Sequence, residues 1–157
     1  MPGSDTPPVA APHQAADQPL IKVEDVMQTE LHMISGLASA REAVNRMKAL
    51  GVSALIIERR HDGDEYGFVS VDKIAARVVA PNKSLDRTSV YEIMDKPTLT
   101  LNPHMAVKYA IRLLARLDHR RALVVDENGA RGLVTLRDLI HCYATQAELP
   151  AATPDQD

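Results

Sequence analysis

Three stretches of this 157-residue chain carry side chains that could bind or transform something. The first is Gly132-Leu133-Val134-Thr135-Leu136-Arg137-Asp138-Leu139-Ile140, where a short apolar run ends at Thr135 and an apolar-periodic segment begins at once. A strand passing straight into a helix leaves the first N–H groups of that helix unpaired, and Thr135 with Asp138 can satisfy them as a cap. The same junction also aims N–H groups, a hydroxyl and a carboxylate at a ligand, because a helix start favours anions. The second stretch, Gly67-Phe68-Val69-Ser70-Val71-Asp72-Lys73-Ile74, repeats the pattern with Lys73 where Asp138 stands. Asp72 lies one residue earlier, turned about 100° around a helix, so it is no substitute. The third is Arg120-Arg121, suited to phosphate and equally at home on a solvated bend.

Other chemistries lack their parts. The six histidines (His13, His32, His61, His104, His119, His141) include no pair four residues apart, and the single Cys142 allows neither an internal disulfide nor a Cys-based zinc knuckle. Ser39, Ser53 and Ser70 sit in no Gly-x-Ser-x-Gly elbow, and no glycine-rich loop ends in Lys-Ser/Thr. The expectation is no metal, no catalytic residue, no required cofactor and no enzyme. A net charge of −3 and four Tyr that form no aromatic platform in sequence argue against nucleic acid. Lys108, Arg112 and Arg116 recur at four-residue spacing as a solvated stripe. No apolar run reaches the ~20 residues that span a bilayer, and no basic-then-apolar leader opens the chain. A lone cysteine suits a reducing compartment, so the expected place is the cytoplasm.

Five prolines among residues 1–19 predict a disordered tail, and residues 147–157 read the same way. Between them the chain repeats. Asp25-Val26-Met27 returns as Glu92-Ile93-Met94 at a spacing of 67, and Ala43-Val44, Met47 and Leu50 match Ala110-Ile111, Leu114 and Leu117. Ala54–Ile57 is aligned with Ala122–Val125, shifted by one, and Gly67–Ser70 with Gly132–Thr135 at a spacing of 65. Two copies follow, over 20–83 and 84–146.

Each copy reads strand, helix, strand, strand, helix. Strands are expected at Leu31–Ile34, Ala54–Ile57 and Gly67–Val69, then at Thr98–Leu101, Ala122–Val125 and Gly132–Val134, the last pair joined at Asn128-Gly129. Ser39 with Glu42 starts the first long helix; Asn102-Pro103 is the expected start of its counterpart. Helices at Val71–Val79 and Leu136–Ala144 close the copies. A half of about 60 residues has little core of its own, so the two sheets are expected to face each other, leaving two clefts about a pseudo-twofold axis.

The Val/Ile-Met openings, Asn102-Pro103, Arg120–Val125 and above all Gly132–Leu139 make the chain resemble the tandem cystathionine-β-synthase (CBS) domain pair, or Bateman module, over residues 20–146. That resemblance implies an α/β (α+β) fold of two β-α-β-β-α subdomains and recognition of an adenosine-containing ligand. AMP, ADP or ATP comes first and S-adenosylmethionine behind. It implies that Asp138 holds the ribose, with Thr135 beside it and Arg137 near phosphate. Leu133, Val52, Ser53 and the His32 backbone would hold the adenine. The second cleft, with Ser70, Lys73, Arg120 and Arg121, is doubtful, being empty or a weak anion site. A stand-alone regulatory module, homodimeric and answering to an unidentified effector protein, is the expected function. A ligand-free dimerising scaffold is the alternative.

Overall fold

The computed structural model describes residues 20–148. Most of both expected tails therefore lies outside the described residues. Two three-stranded sheets form, one per half, each with its first two strands parallel and its last two antiparallel. In the first half the elements are α1 (Val23–Val26), β1 (Met33–Ile34), α2 (Ala40–Leu50), β2 (Ala54–Ile57), β3 (Gly67–Ser70) and α3 (Val71–Ile74), which continues as a π-helical turn, Ala75–Val79. The second half has α4 (Val90–Ile93), β4 (Thr100–Leu101), α5 (Val107–Leu117), β5 (Arg121–Asp126), β6 (Gly129–Thr135) and α6 (Leu136–Glu148). The α+β architecture and the two subdomains match expectation.

Strand alternation builds the sandwich. Leu55, Ile57 and Val69 face the helices of the first half, while Ala122, Val124 and Val134 face those of the second. The residues between them, Ile56, Phe68, Leu123 and Leu133, point the other way and form the seam between the sheets. A period of two thus divides each sheet between a helical layer and the opposing sheet.

Strand pairing corrects the alignment of the copies. Met33 lies opposite Ile56 and Thr100 opposite Leu123, while Ala54 pairs with Ser70 and Arg121 with Thr135. The 67-residue spacing therefore runs unbroken into the strands, and Arg121, not Ala122, is the counterpart of Ala54. An irregularity at Val124/Val125 and the shorter turn at Glu127-Asn128 absorb the two-residue difference.

Local chemistry sets the long helices. Ser39 Oγ accepts from Glu42 N at 3.1 Å, and Gly51, at φ 70°, ends α2 in the left-handed region. The counterpart α5 does not start at Asn102-Pro103 but at Val107, without a side-chain cap. Asn102 Oδ1 instead closes a turn on His104 N at 2.8 Å. The carbonyls of Pro103 and Met105 receive Glu24 N and Val23 N, so this segment seats α1.

That seating is an exchange. Val23 is buried in the core of the second half, and Val90 and Ile93 in the core of the first. Each short opening helix completes the other half's core, so the repeat in sequence is not the packing unit in space. Neither four-residue helix has enough length to show a period in sequence.

A clasp also joins the halves beyond β2. Asp64 accepts from Lys96 Nζ at 2.7 and 2.8 Å and from Arg60 Nε at 3.1 Å, with its side chain only 7% exposed. Tyr66 OH accepts from Ala130 N at 3.1 Å, and Arg59 lies over the Tyr66 ring. Hydrogen bonds from Arg60 and Lys96 hold the Asp64 carboxyl well below the usual carboxylate range. A depressed folded pKa gives stability that is fully present above the unfolded value, about 3.9, and is lost as pH falls below it. Asp64→Asn is therefore expected to lower the Tm at pH 7 and to flatten its fall below about pH 4, as read by thermal melts across pH.

Candidate functional site

A cleft of about 1240 Å³ opens where the β6–α6 junction meets the α2–β2 turn and the stretch before β1. Asp138, Thr135, Arg137 and Leu133 line it from the second half, with Val52, Ser53 and His32 from the first. All seven residues expected at the competent cleft are thus brought together. Its size exceeds the roughly 300–1,000 Å³ usual for small-molecule sites, leaving room for a ligand of that class.

The junction resolves the capping question in part. Thr135 Oγ1 accepts from Asp138 N at 3.0 Å, so Thr135 is the cap, and it works through the backbone of Asp138. Leu136 N donates to the Arg120 carbonyl at 2.8 Å. The Asp138 carboxylate accepts from Gln28 Nε2 at 3.1 Å, a bond exposed to solvent. A carboxylate offers about four acceptor positions, so this one bond leaves it capable of taking a diol. The His32 carbonyl accepts from Ile56 N at 2.9 Å, which spends one of its lone pairs on the sheet.

Gly132 explains the first residue of the motif. A Cβ there would lie 2.5 Å from Met27 Sδ and 2.9 Å from the Gln28 carbonyl. Only glycine lets β6 approach the chain that carries Gln28. Gly67 meets the Asp95 carbonyl in the same way, at 3.0 Å.

Arg120 and Arg121, expected at the second cleft, line the first. The reason is their place at the seam, where the loop entering β5 runs beside the start of α6. Arg120 also reaches the other side, with Nη1 3.5 Å from Asp72 Oδ2. Burial of the Arg121 guanidinium lowers its pKa, Asp72 opposes that shift, and the Arg120 charge adds to it.

The counterpart junction at Ser70 and Lys73 is built differently. Ser70 Oγ accepts from Lys73 N at 3.3 Å, the same cap as Thr135. Lys73 Nζ lies 3.6 Å from Asp95, and Arg77, on the π-helical turn, reaches the same carboxylate at 3.2 Å. Arg77 also donates to the Ile93 and Met94 carbonyls at 3.1 and 3.4 Å. An ionic knot therefore occupies this junction. Gln28 and Asp95 were absent from the sequence-based site. Their signal was available only by reading position 28 against 95 and 138 against 73 together.

Among the described residues no group of His, Cys, Asp and Glu is arranged to hold a metal ion, and no helix is long and apolar enough to cross a membrane.

Two face-to-face three-stranded sheets, duplicated in sequence and flanked by helices, define a class, and comparison bears it out. A model of the CBS domain matches the chain twice, over residues 23–80 and 90–145, and the chain belongs to that family as a tandem CBS pair, the Bateman module. The CBS domain-containing protein YhcV of Bacillus subtilis is 32% identical over 117 residues, 74% of this chain and 81% of the relative. Uncharacterized protein MK0525 of Methanopyrus kandleri is 26% identical over 121 residues, 76% of this chain but 61% of the relative, so the chain spans about three fifths of that protein. The hexameric CBS-CP12 protein from bloom-forming cyanobacteria superposes with a TM-score of 0.77 at 30% identity, covering 85% of this chain and 78% of that one. The CBS domain pair of protein MJ0100, in complex with 5′-methylthioadenosine and S-adenosyl-L-methionine, shares the fold with a TM-score of 0.71 at 21% identity, covering 82% and 99%. CBS pairs often bind adenosine-containing ligands, and stand-alone CBS-domain proteins are generally regulatory rather than catalytic.

Proposed function

We propose that the chain is a regulatory module that binds one adenosine nucleotide in the Asp138 cleft and passes the resulting change in packing to a partner protein. The observation that carries this reading is the Asp138 carboxylate lining a cleft that both halves share. Its charge is met there by a neutral amide and so remains available to a cis-diol. Three arginines, Arg120, Arg121 and Arg137, line the same cleft and favour a phosphorylated ligand over S-adenosylmethionine, whose sulfonium is a cation. AMP, ADP and ATP are accordingly the first choices. The complex of MJ0100 supports the adenosyl class. A ligand that prefers one packing of the halves shifts its population by its differential affinity and no more.

A homodimer is part of the reading. Tyr109 and Leu117 on α5, with Ile140 and Tyr143 on α6, are 41–59% exposed and supply an apolar helical surface. The same surface favours the alternative, a ligand-free dimerising scaffold. The absence of a second cysteine keeps the cytoplasm as the proposed location.

Calorimetric titration with AMP, ADP, ATP and S-adenosylmethionine tests the proposal: one site per chain is expected, tightest for a nucleotide. No heat and no thermal protection at millimolar concentrations would leave the scaffold reading. With a site in hand, replacing both Arg120 and Arg121 by Ala is expected to weaken ATP at least ~10-fold while adenosine changes little, because charge-assisted phosphate contacts are lost. Equal losses for both would remove the arginines from the phosphate end.

A further inference from the structure

We propose that Gln28 is the positioning residue for Asp138, and that the side chain at this place in each half sets whether its junction can receive a ligand. The inference rests on the adenosine reading of the cleft. It starts from two places that the backbone makes equivalent. Gln28 exchanges both main-chain hydrogen bonds with Leu133, at 2.8 and 2.9 Å, and Asp95 exchanges the same pair with Phe68 at 2.8 and 2.9 Å. Each residue is therefore fixed beside the last strand of a half, facing the fourth position of the helix-start motif.

The chemistry across the two pairs is inverted. Gln28 offers an amide N–H to the Asp138 carboxylate, at 3.1 Å. Asp95 offers a carboxylate to Lys73 at 3.6 Å and to Arg77 at 3.2 Å. An amide donor orients a carboxylate without cancelling its charge, and it occupies one acceptor position of about four. A cation at the same place would neutralise Asp138 and hold it, as Asp95 is held. Gln28 stands on a strand-like backbone pair rather than on a free loop, and a group placed in that way fixes its partner's geometry more closely. Gly132 makes the approach possible, since any Cβ there would press on the Gln28 carbonyl.

The readout is ribose discrimination. The ratio of affinities for AMP and 2′-deoxy-AMP cancels contributions from adenine and phosphate and reports the hold of Asp138 on the diol. The unsubstituted protein is expected to prefer AMP by roughly 10-fold or more, as expected for a hydrogen bond to a charged group. Gln28→Met keeps the length and apolar bulk of the side chain and removes the donor. It is expected to cut the ratio to about 3 or below, with the Tm nearly unchanged because the main-chain bonds remain. Gln28→Lys is expected to bring the ratio to about 1, by pairing with Asp138.

A ratio unchanged in both variants, with AMP still bound by the parent, would overturn the role of Gln28 and leave the adenosine site standing. A parent protein that binds AMP without preferring it over the deoxy form would overturn both this role and that of Asp138. Failure of the parent to bind any adenosine nucleotide would sink the whole reading of the cleft, this inference included.

Discussion

Asp138→Ala is expected to lower adenosine-nucleotide affinity by two orders of magnitude or more while leaving the fold in place. Two hydrogen bonds from a cis-diol to a charged acceptor are worth about 3 kcal/mol or more together, which is upward of 100-fold in Kd. The fold survives because the cap belongs to Thr135, which receives the backbone N–H of residue 138. Removing the carboxylate costs only the Gln28 bond and a favourable charge near the start of α6, about 1–2 kcal/mol in all. Calorimetry and thermal melts on the same preparation check both halves of this expectation. A variant that binds normally would return Asp138 to an ordinary surface acid.

Leu123→Ala is expected to have the largest effect on stability. Leu123 is fully buried, at 0% exposure, in the seam between the sheets, with Ile56 and Phe68. Deleting a buried Leu side chain costs about 2–5 kcal/mol, and the upper end applies where the surroundings cannot collapse. Two sheets held apart by their own hydrogen-bonded frames have little freedom to close. The Tm is expected to fall by on the order of 10 °C. Leu50, which is 41% exposed at the cleft, supplies the control, since Leu50→Ala creates no enclosed cavity and is expected to shift the Tm by only a degree or two.

How far the sequence could be read depended on whether a structural unit was contiguous. The Gly132–Leu139 motif lies in one stretch, so its cap, its carboxylate and its apolar wall were all legible. The duplication was legible because apolar positions recur in order. Its one misplaced step, at Ala54 and Arg121, arose because Ala-Leu-Ile-Ile and Ala-Leu-Val-Val align well on residue type, whereas pairing partners settle the register. Arg120 and Arg121 read from the sequence as residues of the second cleft alone, whereas the loop into β5 lies at the seam, so that both line the first cleft and Arg120 also reaches Asp72 on the other side. Asn102-Pro103 has the composition of a helix start, but tertiary demand for the Pro103 and Met105 carbonyls outweighed that local preference. Gln28 had no signal of its own, being an exposed polar residue whose partner is 110 positions away.

The exchanged opening helices also bear on the order in which the chain acquires structure. During synthesis α1 is the first described helix to emerge, yet the groups that receive it, the Pro103 and Met105 carbonyls, come far later. The first half, in turn, waits for Val90 and Ile93 before its core is complete. Contacts of such long sequence separation cost loop-closure entropy before they give anything back, and they slow folding. The first copy therefore cannot reach its final form alone on the ribosome. Val23 remains without its apolar seat until the second copy has been made, and a nascent chain stalled between the copies would present that unfilled surface to chaperones.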